Sequence, residues 1–145
     1  MNAVSALAAI ALPPLLLAVF VLSLWKTARG LSARRWERPG WWAFPAVVLT
    51  GLGCVAWFAG VFSGGLDTRE ACASRGAGYD EAYRSEYWRE PSRWFPLHNK
   101  CNAGFDLVPA WVNPTLVAIA LLLVGCAAGA VTTAVMGRKK SEKPD

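Results

Sequence analysis

Three apolar runs decide most of what this chain can become. Residues Asn2 to Trp25, Trp41 to Phe62 and Trp111 to Met136 contain no Asp, Glu, Lys or Arg. Each is longer than the roughly 18 residues that mark a membrane span. In hydrocarbon a lone span can satisfy its peptide groups only internally, so each must be helical once inserted. The expectation is an all-α membrane protein with transmembrane helices at 1–25, 41–62 and 111–136. A basic linker fills 26–40, a long polar loop 63–110 and a short tail 137–145. The chain is 54% apolar, and those residues come in runs rather than at alternating or helical spacing, which does not fit a soluble domain.

The net charge of +5 is unevenly placed. The linker carries Lys26, Arg29, Arg34, Arg35 and Arg38 against Glu37, and the tail carries Arg138, Lys139, Lys140 and Lys143 against Glu142 and Asp145. The long loop is close to balanced. Short loops rich in Lys and Arg stay on the cytoplasmic side, and in a three-span chain the linker and tail fall on one side. This puts the N-terminus and the long loop outside the plasma membrane and the C-terminus inside. Such a distribution also argues against nucleic acid as a partner, because no basic stripe with interleaved aromatics stands outside it. No Lys or Arg precedes Lys26, so the first run reads as a reverse anchor rather than a signal peptide. Pro13 and Pro14 should kink it, since each removes a backbone donor and crowds the preceding turn. A helix stop is expected near Gly30 and a turn at Pro39–Gly40. Trp25, Trp36, Trp41 and Trp42 flank the linker as an interfacial belt does. Its basic residues should touch anionic headgroups, making the lipid bilayer the first partner.

The loop holds two of the four cysteines, the only histidine, all three tyrosines and seven of the ten acidic residues. Cys72 and Cys101 stand in a compartment where disulfides persist, and each is the other's natural partner. A redox pair or a metal site is the weaker alternative, because there is no C-x-x-C and no second histidine. Cys54 and Cys126 read as apolar packing residues. Tyr79, Tyr83 and Tyr87 recur every four residues, which predicts a short helix from about Tyr79 to Glu90 ended by Pro91. Asp80 with Arg84 and Glu86 with Arg89 are spaced for ion pairs on it. The favoured reading lays the tyrosines on the top of the bundle or on the membrane surface. The alternative makes Tyr79, Tyr83 and Tyr87, with Trp88, Trp94 and Phe95, a partner-binding surface.

His98 lacks companions for a metal site and lacks an evident nucleophile. A surface or hydrogen-bonded histidine is favoured, with Asp80, Glu81 and Asp106 as the carboxylates that folding could bring to it in an active site. Within the apolar runs, Ala46, Thr50 and Cys54, then Ala56 and Gly60, and then Gly125, Gly129 and Thr133 repeat every four residues. Small residues at that spacing let helix backbones approach closely. Asn113 and Pro114 suit the N-cap and first turn of the third helix.

The segments from Tyr79 to Arg84, Trp88 to Asn102 and Asp106 to Pro114 resemble the loop of small uncharacterised three-span membrane proteins of actinomycetes. The resemblance implies a bacterial plasma-membrane protein and brings no activity or catalytic residue with it.

The economical function is an accessory or interaction subunit that docks on another membrane or envelope protein, or on its own copies, through the disulfide-closed loop. One alternative is a membrane-face enzyme acting on a lipid-linked or envelope substrate through Asp80, Glu81, Glu86, His98 and Asp106. Another is a ligand or toxin receptor, or an immunity protein. No motif calls for a cofactor or metal. Ion transport by this chain alone is disfavoured, because the spans hold no ionisable Asp, Glu, Lys, Arg or His.

Overall fold

The computed structural model describes residues 3–141, so residues 1–2 of the first predicted span and 142–145 of the tail lie outside the described residues. Helices α1 (Ala3–Ser32), α2 (Ala43–Val61) and α5 (Val112–Ser141) carry most of the chain. Three stretches are long and apolar enough to cross a membrane: Ala11–Ser32 within α1, Val112–Lys139 within α5, and Pro39–Gly64, which is α2 together with the short 3-10 turns at its two ends. Between α2 and α5 lie two short helices, α3 (Thr68–Ser74) and α4 (Glu81–Glu86), and a two-stranded antiparallel ribbon of β1 (Lys100–Asn102) and β2 (Phe105–Asp106). The chain is therefore mostly helical, in line with the expected class, and the short ribbon is an addition that the expectation did not include. Its turn at Ala103 and Gly104 is held by Asn102, whose Oδ1 accepts from Gly104 N at 2.9 Å, an Asx turn that brings two very short strands together.

The chain divides into two compact units. The first comprises residues 1–51 and 121–145. Here α1 continues past Gly30 to Ser32, because the glycine marks a packing site rather than a stop. Trp41 is 8% exposed, and its indole lies against the bare Cα of Gly30, where a side chain would collide with it. Arg34 then reverses the chain in the left-handed region (φ 51°), an uncommon conformation for a residue with a Cβ. Two 3-10 turns, Arg35–Glu37 and Pro39–Trp42, lead into α2. Phe20 of α1 packs on Gly51 of α2, where a Cβ would lie 2.9 Å from the ring. Trp42 packs on Gly129 of α5, where a Cβ would lie 2.6 Å from the indole. Pro13 and Pro14 both sit inside α1.

The second unit comprises residues 52–120. Its Gly60 is buried on α2, and a Cβ there would lie 2.6 Å from Leu97 and 3.0 Å from Val112. Leu97, Val108 and Val112 form one small core, with Trp57 and Leu116 packed against it. Cys72, Cys101 and Leu107 form the other, with Ala71, Ala77, Tyr79 and Phe105 around it.

Candidate functional site

The polar loop begins with an aspartate-capped helix. Asp67 accepts from the backbone N–H groups of Arg69 (2.8 Å) and Glu70 (3.3 Å), satisfying two of the orphan donors at the start of α3. This helix carries Cys72, which is bonded to Cys101 on β1 with a Cα–Cα distance of 5.8 Å. The expected disulfide is present, and both cysteines are fully buried. Cys54 and Cys126 are free, the first exposed and the second buried.

Asp80 caps α4 instead of pairing with Arg84, and its Oδ1 accepts from Tyr83 N at 3.0 Å. The helix therefore starts at Glu81 and ends at Glu86, shorter at both ends than the expected Tyr79–Glu90. Tyr79 lies ahead of the cap and is excluded from the stripe. It packs on the cystine cluster with the guanidinium carbons of Arg69 and Arg84 at 4.8 and 5.6 Å from its ring centre. Tyr83 and Tyr87 do stay together, stacked with ring centres 4.7 Å apart. Arg84 donates to Asn99 Oδ1 (3.1 Å) and to the carbonyl of Lys100 (2.7 Å), tying α4 to the ribbon. The ion pairs found among the described residues are Arg69–Glu81, His98–Asp106 and Lys100–Glu90. Neither spacing-based pair, Asp80–Arg84 or Glu86–Arg89, is among them.

Lys100 Nζ donates to Glu90 Oε1 (3.0 Å) and to Tyr83 Oη (3.3 Å). The hydrogen bond to Glu90, followed by the one to Tyr83, holds the Lys100 ammonium above its ordinary pKa of 10.5 against some desolvation. A lysine whose pKa is raised by folding contributes stability that is complete below its unfolded pKa and is lost as pH rises through the folded one. Stability of the purified protein should therefore fall on the alkaline side of pH 10.5. In Lys100→Met that fall should be shallower, as followed by thermal unfolding across the alkaline range. An identical alkaline limb in both proteins would remove this network from the account.

His98 Nδ1 lies 2.7 Å from Asp106 Oδ2, and an ionised carboxylate can only accept, so Nδ1 carries the proton. The other Asp106 oxygen accepts from Asn99 N (3.0 Å) and Val108 N (2.9 Å). Both side chains are about a quarter to a third exposed (31% and 26%). Of the carboxylates considered for an active site, Asp106 alone reaches His98. Glu81 is paired with Arg69 and Asp80 is used as the cap. The small space bordered by Tyr83, Tyr87, Glu90 and Lys100 is about 10 Å³, at the lower limit of what holds one water. No group of three His, Cys, Asp or Glu side chains able to hold a metal occurs among the described residues.

Asn113 does something other than capping. Its Oδ1 accepts from Leu97 N and its Nδ2 donates to Leu97 O, both at 2.9 Å. This two-way clamp seats Leu97 between Gly60 and Val112. Around it the aromatic residues turn outward. Trp94 is 80% exposed and Trp88 64%, and Phe95 and Tyr87 are exposed as well. Trp94 stacks on Trp57 at 5.6 Å, and its carbonyl accepts from Trp57 Nε1 at 3.3 Å. Phe58 and Phe62 continue the row along α2, their rings stacked at 5.8 Å.

Of the small residues expected to pack helices, Gly60 and Gly129 have side chains pressed on them and Ala46 is half-buried. Thr50 is exposed and turns its hydroxyl to Ala46 O at 2.8 Å. Gly125 meets nothing within 4 Å. It opens on an apolar groove lined also by Trp42, Leu49 and Cys126.

No family model, no curated protein and no solved structure matches this chain.

Proposed function

We propose that this is a three-span plasma-membrane protein that works as an accessory subunit, docking on another membrane or envelope protein through its extracytoplasmic loop. The three apolar helices support insertion, and the basic linker and tail support an N-terminus and loop outside with the C-terminus in the cytoplasm.

One observation carries the docking part. The loop's two cores are small and built on sulfur, leucine and valine, while Tyr87, Trp88, Trp94 and Phe95 stay on the surface. A domain short of core material that leaves its largest apolar side chains outside has a use for them there. Aromatic residues are the type enriched at interface centres. The surface is also preorganised by the cystine, the Asp106 carboxylate and the Asn113 clamp, which lowers the entropy cost of association. The enzyme alternative asks for two carboxylates gathered on His98 around a cavity. The geometry gives it one, already engaged by two backbone amides.

The test is purification in a mild detergent from the native host, with mass spectrometry of what accompanies the chain. A stoichiometric membrane or envelope protein is expected. Trp88→Ala and Trp94→Ala should each weaken its retention by about 30-fold or more, as hot-spot aromatics do. The Cys72–Cys101 bond should stay intact in both variants, checked by thiol labelling. A clean monomer or homo-oligomer with no companion refutes the reading.

A further inference from the structure

We propose that the first unit holds a binding site for a phosphate-bearing anion, formed where the end of α1, the two 3-10 turns and the start of α2 meet. The cavity there is about 500 Å³ and is lined by Trp25, Lys26, Arg29, Gly30, Arg35, Arg38, Gly40, Trp41 and Phe44. Four of these side chains are cationic and none is acidic. The ion pairs found among the described residues involve Arg69, His98 and Lys100, and none of the four cations is in them. All four residues are exposed to water, so salt screens much of their mutual repulsion, and an anion bound among them lowers what remains.

The construction of the cavity is specific. Gly30 lets the Trp41 indole lie on α1, and the left-handed turn at Arg34 folds Arg35 and Arg38 back toward Lys26 and Arg29. Lys26 Nζ sits 5.0 Å from the Phe44 ring centre and the Arg29 guanidinium 5.1 Å from that of Trp25, so both cations are held by aromatic faces. Guanidinium groups bind phosphate bidentately, and a basic pocket between helices on the cytoplasmic side is a recognised form for a lipid phosphate site. If the chain spans a membrane as proposed above, Trp25 and Trp41 put the cavity at headgroup depth. Four cations and this volume suit a headgroup with two phosphates better than one. A free diphosphate offers the same chemistry.

The experiment uses the full chain in nanodiscs of phosphatidylcholine at physiological salt. One arm adds a few mole per cent of cardiolipin and counts retained lipid by native mass spectrometry. The other titrates inorganic pyrophosphate and follows tryptophan fluorescence. Two variants of equal charge change are compared, Arg35→Gln/Arg38→Gln in the cavity and Arg138→Gln/Lys139→Gln in the tail. Each arginine changed in the cavity removes a charge-assisted hydrogen bond to phosphate, so the cavity variant should lose roughly 30-fold in affinity, whereas the tail variant removes only diffuse attraction that salt screens and should lose less than threefold. Retention of cardiolipin without a pyrophosphate response assigns the site to lipid. The reverse assigns it to a soluble phosphate. Equal losses in the two variants, or no binding in either arm, overturn the site.

Discussion

Replacing Cys72 and Cys101 together by Ala should lower the stability of the loop by about 3–4 kcal/mol while leaving the long helices formed. The bridge spans 29 residues, and on the chain-entropy relation closing a loop of that length is worth roughly this amount. Alanine is the right replacement. Both cysteines are fully buried in an apolar cluster, and serine would add the cost of desolvating a hydroxyl. The loss should be local, because that cluster is also the junction of three elements. Ala77 N donates to Cys72 O and Asp80 N to Cys101 O, both at 2.9 Å. Without the bridge, α3 is no longer fixed to β1. In hydrogen exchange, the amides of Ala77 and Asp80 should lose protection by about 10²- to 10³-fold, since 1.4 kcal/mol is a factor of ten. The α2 and α5 amides should hold theirs. A reduced wild-type sample should match the variant. Unchanged protection in the loop would mean that Arg84 and Asp106 alone define its structure.

How much of this is legible in the sequence follows from the range of each interaction. The three long helices are legible because apolar runs need no partner to declare themselves. The disulfide is legible because only two cysteines fall in the loop. The end of α1 is not, because Gly30 looks like a stop when its role is to receive Trp41, eleven residues away. Both short helices carry a local signal. Asp67 with Glu70 three residues on is an aspartate version of the capping pattern, a cue that the sequence reading passes over. Asp80 ahead of Glu81 also marks a cap, but the four-residue tyrosine spacing competes with it and draws Tyr79 into the expected helix. The ribbon lies below the length at which alternation can be read. Everything that depends on it is hidden for that reason. His98 and Asp106 meet because the turn at Ala103–Gly104 folds them together, and Lys100 meets Glu90 only once α4 and β1 are in place. Asn113 looks like an N-cap in isolation. Its amide fits Leu97, sixteen residues upstream, as readily as it fits a helix start, and tertiary geometry decides between them.

Asp106→Ala should be the most damaging single substitution in the loop, at about 2–4 kcal/mol, and Asp106→Asn should restore most of the loss. The carboxylate accepts three hydrogen bonds, from Asn99 N, Val108 N and His98. Hydrogen bonds to a charged group contribute roughly 1.5–3 kcal/mol each when buried. The side chain is 26% exposed, so water recovers part of that sum. Asparagine keeps one oxygen for the two backbone amides that share Oδ1, and its NH₂ can face His98 Nδ1 once the imidazole proton moves to Nε2. His98→Ala removes only one of the three bonds and should cost no more than about 1.5 kcal/mol. Thermal unfolding should rank Asp106→Ala as the least stable, followed by His98→Ala and then Asp106→Asn. That order separates two roles for the pair. If Asp106 is the fastener that ties the chain entering the ribbon at Asn99 to the chain leaving it at Val108, the damage follows the number of backbone amides left without an acceptor, and co-purification of a partner falls in step with stability. If the pair instead serves chemistry, Asp106→Asn and His98→Ala would abolish function equally while leaving stability nearly intact. The two backbone amides on Asp106 favour the fastener.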